Sequence, residues 1–228
     1  MEGTIQPLLT RSVEDYLKAI YRLSLSGQPA STSAIAHALD LAPPSVSGMI
    51  RRLSEQGLLQ HEPYRGVELT AEGRRVALRM VRRHRIIEAY LVGMLGYTWD
   101  TVHEEAERLE HAVSESLIER MAEALGNPRF DPHGDPIPGP DGEIAELLLT
   151  PLNEIPLGET AEIRRVDTSH AERLRYLADR GLTPGTRVKI VGRDPFNGPI
   201  ALERDGRREV IGSELAALVL CTRPFVSS

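Results

Sequence analysis

The stretch 31–70, STSAIAHALDLAPPSVSGMIRRLSEQGLLQHEPYRGVELT, carries its boundary signals in a fixed order. Ser31 or Thr32 stands where a helix N-cap would, ahead of Ile35 and Leu39 spaced four apart. Asp40-Leu41-Ala42 interrupts that helix. Pro43 and Pro44 open the next one in its first turn, where a missing N–H costs no hydrogen bond, and Gly57 closes it as a C′ residue. Its apolar stripe is Val46, Met49 or Ile50, and Leu53. LLQHEPYRGVELT then reads as two short strands around Tyr64-Arg65-Gly66, with glycine in the turn.

Upstream, Val13, Leu17 and Ile20 recur at helical spacing, with Tyr16 and Leu23 as further members of the stripe, and Gly27 and Pro29 end that helix. Helix, helix, tight turn, helix and hairpin is the order of a winged helix-turn-helix, whose third helix enters the DNA major groove. There Ala42, Pro44, Ser45, Ser47 and Gly48 would face bases and phosphates, with small side chains permitting close approach. Arg51 and Arg52 add charge a turn later, and Arg65 at the hairpin tip would reach a phosphate. Residues 41–85 hold nine arginines against four glutamates, the footprint expected of a nucleic-acid surface. Such helices also build protein-binding modules, and arginine-rich faces are often merely solvated. Neither reading accounts for prolines, serines and arginines gathering on the third helix and its wing. No Asn or Gln lies at the start of that helix, so specificity is expected to lean on contact shape and DNA deformability.

Downstream, Thr70 caps a long helix with the stripe Val76, Met80, Ile87, Leu91 and Met94, ended by Gly96. An acidic helix is expected from about Trp99, bending near Ser114 and continuing through Leu117, Met121 and Leu125 to Gly126. Within it, HEEAERLEH (103–111) puts His103, Glu107, Glu110 and His111 within about a quarter-turn of one face. On the long helix, His84 and Glu88 are also one turn apart. If the two helices pack antiparallel, His84, Glu88 and His103 converge, and Glu107, Glu110 and His111 follow one to two turns along. Two clusters on one stripe imply two cation sites. Oxygens with imidazole suit Mn2+ or Fe2+, whereas thiolates would favour Zn2+. Taken alone, such a stripe is more often a salt-bridged surface; the common register of six residues raises its weight.

GNPRFDPHGDPIPGPDG (126–142) is a linker by composition. Beyond it TAEIRRV, TRVKIVG, GPIALER and REVIG read as strands and SHAERLRYLADRG as one helix, with Ser169 and Glu172 spaced as a capping box. That combination suggests a small β-barrel. The chain is therefore expected to be mainly α with a small β content. Its divisions are a winged helix-turn-helix at 1–74, a helical domain with the linker at its end at 75–142, and a β-barrel at 143–228. The net charge of −6 conceals an uneven distribution, since residues 96–162 carry 16 acidic and 3 basic side chains. A single cysteine, no secretory signal and no apolar run near the roughly 18 residues of a membrane span point to a cytoplasmic protein with no membrane partner.

The sequence resembles the diphtheria-toxin-repressor or manganese-transport-regulator family of metal-activated transcriptional repressors. The carriers are SVEDYLKAIYRL (12–23), SAIAHALDLAPPSVSGMIRRLSEQGLL (33–59), YRGVELTAEGR (64–74), RRHRIIEAYL (82–91), VHEEAERLEHAVS (102–114) and the proline-rich linker. The C-terminal stretch resembles the SH3-like, FeoA-like module of the longer members. The resemblance implies a homodimer that binds palindromic double-stranded DNA when loaded with metal and has no small-molecule substrate. It implies a primary, activating metal site of Asp15, Glu107, Glu110 and His111. It also implies an ancillary site of His84, Glu88 and His103, completed by two residues of the SH3-like domain that align with Asp167 and His170. Asp15 and Glu107 stand where iron-type members carry methionine and cysteine, the manganese-type pattern. Lys18 stands where manganese-type members can place a second glutamate, which speaks against a close binuclear pair.

On this reading Mn2+, with Fe2+ as the other candidate, relieves repulsion among the primary-site carboxylates and ties the first helix to the dimerisation helix. Leu91, Met94, Leu117 and Met121 would form the dimer contact. Two alternatives differ in kind. A metallohydrolase would need an open coordination position and a general base, and no nucleophile elbow, phosphate loop or catalytic-cysteine setting is present. A winged-helix regulator answering to a non-metal ligand would bind DNA equally well in chelator.

Overall fold

The computed structural model describes residues 10–25, 27–62 and 65–222, so Tyr64 of the expected hairpin turn lies outside the described residues. The chain divides into two compact units, Met1–Arg83 with Pro138–Glu143, and His84–Ile137 with Ile144–Ser228.

The first unit holds α1 (Arg11–Ser24), α2 (Thr32–Leu39), α3 (Pro43–Glu55), β1 (Leu59–Glu62), β2 (Gly66–Leu69) and the start of α4 (Ala71–Leu95). Ser31, not Thr32, caps α2: its Oγ accepts from the Ala34 N–H at 3.1 Å. Asp40 ends α2 in the left-handed region at φ 52°. On α3 the buried stripe is Val46, Ile50 and Leu53, while Met49 stays partly exposed. On α1 Val13, Tyr16, Leu17 and Ile20 are buried, and Leu23 only partly. β1 and β2 pair antiparallel from Leu59↔Leu69 to Glu62↔Gly66, and Ala30 adds a bridge to Val67. Thr70 locks the entry to α4, accepting from the Gly73 N–H at 3.1 Å and donating to the Gly57 carbonyl at 2.7 Å. A Cβ on Gly73 would lie 2.0 Å from the Leu58 oxygen, so only glycine lets α4 pass this turn.

In the second unit, the rest of α4 packs with α5 (Val102–Leu109) and α6 (Glu115–Ala124) around Ile86, Ile87, Val102, Ala106, Ile118 and Ile137. The acidic helix begins at Val102, later than Trp99, and its break starts at Glu110, before the expected bend. Ser114 caps the resumed helix, accepting from the Leu117 N–H at 3.3 Å. Leu91 belongs to this core and is 5% exposed, so it is not part of an outward-facing surface; Met94 (54%) and Leu117 (41%) are exposed.

The C-terminal sheet has six antiparallel strands in the order β3-β8-β4-β5-β6-β7. They are β3 (Thr150–Pro151), β4 (Thr160–Val166), β5 (Arg187–Arg193), β6 (Ile200–Arg204), β7 (Arg207–Ile211) and β8 (Val219–Thr222), with α7 (Ala171–Asp179) and α8 (Ser213–Ala217) inserted. The four expected strands appear as β4, β5, β6 and β7; β3, β8 and α8 were not anticipated. Among the described residues no pairing joins β3 to β7, so the sheet is open where a closed barrel was expected. His170, not Ser169, is the N-cap of α7, and no side chain caps it. The Ser169–Glu172 capping box is absent because the helix starts at Ala171, which leaves Ser169 one residue outside the N-cap position.

The segment expected to be a linker is partly packed: Asp131, His133, Gly134, Pro136 and Ile137 are buried. The His133 carbonyl accepts from the Val166 N–H of β4 at 2.9 Å. A Cβ on Gly134 would come 1.8 Å from the Arg164 oxygen, at φ +87°. No described helix is long and apolar enough to cross a membrane.

Candidate metal centre and nucleic-acid interface

One turn of α4 separates His84 from Glu88, and α5 presents His103 to both. Glu88 Oε1 lies 3.0 Å from His84 Nε2 and 2.9 Å from His103 Nδ1. Those two nitrogens are themselves 3.0 Å apart, their rings edge to face at 75°. A six-coordinate ion with donors about 2.1 Å away separates adjacent donors by about 3 Å, so this triangle fits one face of such an ion. Burial alone would raise the Glu88 carboxyl. The charge of His84 and contacts with His103, His133 and His84 outweigh it and hold the group well below the ordinary carboxylate range. The carboxylate is thus kept ionised.

His84 also links this triangle to the rest of the stripe. Its Nδ1 lies 2.6 Å from Oε2 of Glu110, a carboxylate only 1% exposed. Glu110 Oε1 lies 3.5 Å from His111 Nε2, and Glu107 Oε1 lies 3.5 Å from His103 Nε2. Glu107 is half-exposed, at the outer edge. The two expected clusters are therefore continuous within the second unit, joined through one imidazole. Asp15 sits on α1 of the first unit, its carboxylate 3.9 Å from Arg11.

Asp167 and His170 are both exposed, and Asp167 lies 3.4 Å from Arg165. Among the described residues, the donors gathered about Glu88 come from His84 and His103 on one side and from Asp131 and His133 on the other. Sequence reasoning missed that second pair. Burial and the nearby carboxylates of Asp135 and Glu88 push the Asp131 carboxyl up to about 7. Burial would lower His133, but Glu88, Asp131 and the Trp99 carbonyl raise it to about 9. The available signal was a histidine bracketed by aspartates in DPHGD, inside a segment whose Gly and Pro content argued for a linker.

In the first unit, Ala42, Pro44, Ser45, Ser47, Gly48, Arg51, Arg52 and Arg65 are all exposed. Val46, Ile50 and Leu53 occupy the opposite, buried face of α3. Ser47 Oγ donates to the Pro43 carbonyl at 3.1 Å, while Arg51 and Arg65 each hold a glutamate, Glu55 and Glu62, at 3.1 Å. Exposed pairs of this kind contribute little and exchange readily for a phosphate.

Three family models match the chain. They are the iron-dependent repressor N-terminal DNA-binding domain (residues 8–67), the iron-dependent repressor metal-binding and dimerisation domain (70–139) and the FeoA domain (150–223). The iron-dependent repressor IdeR of Mycobacterium leprae is 36% identical over 194 residues, covering 80% of this chain and 84% of the relative. The diphtheria toxin repressor of Corynebacterium glutamicum is 31% identical over 225 residues, covering 92% and 96%. Among solved structures, a manganese-dependent transcriptional repressor in complex with manganese is 39% identical, with TM-score 0.84, covering 93% of this chain and all of that one. These relatives are repressors, not enzymes. With a DNA-binding module, a metal-binding and dimerisation module and a FeoA module in that order, the chain belongs to the iron-dependent repressor family of metal-dependent, DNA-binding transcriptional regulators.

Proposed function

We propose that this chain is a manganese-activated repressor of metal-ion homeostasis that binds palindromic operators as a dimer in the cytoplasm. The observation that carries the metal reading is the buried Glu88–His84–His103 triangle, whose donors are one oxygen and two imidazole nitrogens. The favoured ligands are Asp15, Glu107, Glu110 and His111 for the primary site. For the ancillary site they are His84, Glu88 and His103, with Asp167 and His170. Neither set contains sulfur, and the one cysteine, Cys221, is buried in the C-terminal core. Such donors suit Mn2+, and Fe2+ next. Relatives named for iron and for manganese leave both ions in the family's range.

A bound divalent ion would supply the positive charge that lets several carboxylates share one site. The residues do the rest. His84 presents Nε2 to Glu88 and Nδ1 to Glu110, so one ring orients a carboxylate of each site. Asp15, on the first helix, would bring the DNA-binding domain under the same control. In a dimer formed around the exposed Met94 and Leu117, two copies of α3 would lie about 34 Å apart, one turn of DNA. The three-domain division at 1–74, 75–142 and 143–228 accompanies this reading, with the open C-terminal sheet taken as an SH3-like module.

Selection of bound sequences from random duplex DNA, run in Mn2+ and in EDTA, tests it. Enrichment of a palindrome only with Mn2+ is expected. Equal enrichment in both arms would leave a DNA-binding protein whose polar stripe is merely structural.

A further inference from the structure

Resting on the ancillary-site reading above, we infer that Asp100 and Arg175 are a positioning pair for His103. With Trp99 they staple the start of α5 to the C-terminal module, and that module thereby sets the affinity of the ancillary metal site.

Residues 98–101 form a closed turn at the head of α5. The Thr98 carbonyl accepts from the N–H groups of Thr101 and Val102, both at 3.1 Å, and the hydroxyls of Thr98 and Thr101 meet at 2.9 Å. A turn tied in this way moves as one piece with the first turn of its helix. Two side chains pin it, each in a different core. Val102 is fully buried among the helices, in one cluster with Ile86 and Ile118. Trp99, the only tryptophan of the chain, packs against the C-terminal core, whose members include Leu174 and Leu177 of α7. Its Nε1 is buried without a hydrogen-bond partner among the described residues, so packing alone holds the indole there.

Asp100, between these two anchors, reaches α7 by charge. Its Oδ2 lies 3.4 Å from Arg175 Nε, and its side chain is 10% exposed against 61% for the arginine. A carboxylate this far out of water is stabilised by a paired cation, which Arg175 supplies. His103 follows Val102 directly, and its Nδ1 lies 2.9 Å from Glu88 Oε1. His84 and Glu88 share α4, so their spacing is fixed by one helix. His103 is the donor that α5 must bring to them, and a triangle with edges near 3 Å tolerates little drift of that helix. The ion pair therefore acts on the metal through His103 and is not itself a ligand.

Trp99 also stacks on His133, so a change at Trp99 would reach the metal sites by more than one route. The Asp100–Arg175 pair lies outside that stack and separates the routes. The test is a Mn2+ titration of the full chain, following the free-ion paramagnetic resonance signal, for wild type, Glu88→Gln, Asp100→Ala, Arg175→Ala and the double variant Asp100→Ala/Arg175→Ala. The class of ion that Glu88→Gln loses marks the ancillary site. Asp100→Ala and Arg175→Ala should each keep the wild-type stoichiometry and weaken that class about 2–5-fold, the factor a partly exposed ion pair supplies. The remaining ions should bind as in wild type. The double variant should be no weaker than either single one, because the two residues act as one pair. Wild-type affinity in either single variant would overturn the inference, as would equal weakening of every class, or losses that add in the double variant. Loss of no class in Glu88→Gln would instead defeat the ancillary-site reading beneath it.

Discussion

His84 uses both of its ring nitrogens on buried carboxylates, Nε2 toward Glu88 and Nδ1 toward Glu110, which are 2% and 1% exposed. Removing the ring leaves two buried acids without a shared partner. Leaving a buried carboxylate without its partner costs on the order of 3–5 kcal/mol, and cluster relaxation and water entry place this case at the low end. His84→Ala is therefore expected to lose about 3 kcal/mol of stability in EDTA, measured by urea melting, and to weaken both classes of metal site. A variant that lost one class and kept the other unchanged would show that the imidazole serves a single site. The sequence disclosed His84 and Glu88 through their helical spacing, and it disclosed His103 once antiparallel packing was assumed. That Glu110 would bond to His84 was not legible, because it depends on how α4 lies against the end of α5, where Glu110 is the C-cap.

At the scale of elements, α3 places its buried stripe on one face and its small and basic residues on the other. A helical repeat with caps at both ends gives such an element away, which is why α1 to α4 were readable to within a residue or two. The segment 131–137 has no period. Its burial is set by Arg85, which reaches the Pro136 carbonyl at 2.6 Å and the Asp135 carboxylate at 3.0 Å, and by the fit of Gly134 against β4. Contacts made by residues so distant in sequence leave no local trace, so composition alone suggested a linker. β8 was missed for a related reason: Val219–Thr222 follows α8 directly, with no Gly or Pro to announce it. For α3, Arg51→Ala and Arg52→Ala should each weaken DNA binding similarly across sequences and lower the magnitude of the log–log salt slope by about 1, as loss of a phosphate contact does. Fluorescence anisotropy from low to moderate salt reads this out. A loss confined to one sequence would reassign that arginine to a base edge.

Over the whole molecule, charge is segregated by task. Residues 41–85 are rich in arginine, and the acidic excess falls on 96–162, which includes α5 and α6. An acidic region that gathers cations and a basic one that gathers phosphates would oppose each other in a single surface; in separate modules each keeps its own partner. Coupling the two is the central claim, and its size is bounded by what linked sites usually achieve, about 5–150-fold. The most direct test is the affinity of a duplex from the selection, measured by anisotropy against free Mn2+, for wild type and for Asp15→Ala. The account predicts that wild-type affinity rises by roughly 100-fold from EDTA to saturating Mn2+, while Asp15→Ala remains a dimer and stays near the EDTA value. Equal wild-type affinity in EDTA and Mn2+, or an Asp15→Ala response like that of wild type, would contradict it.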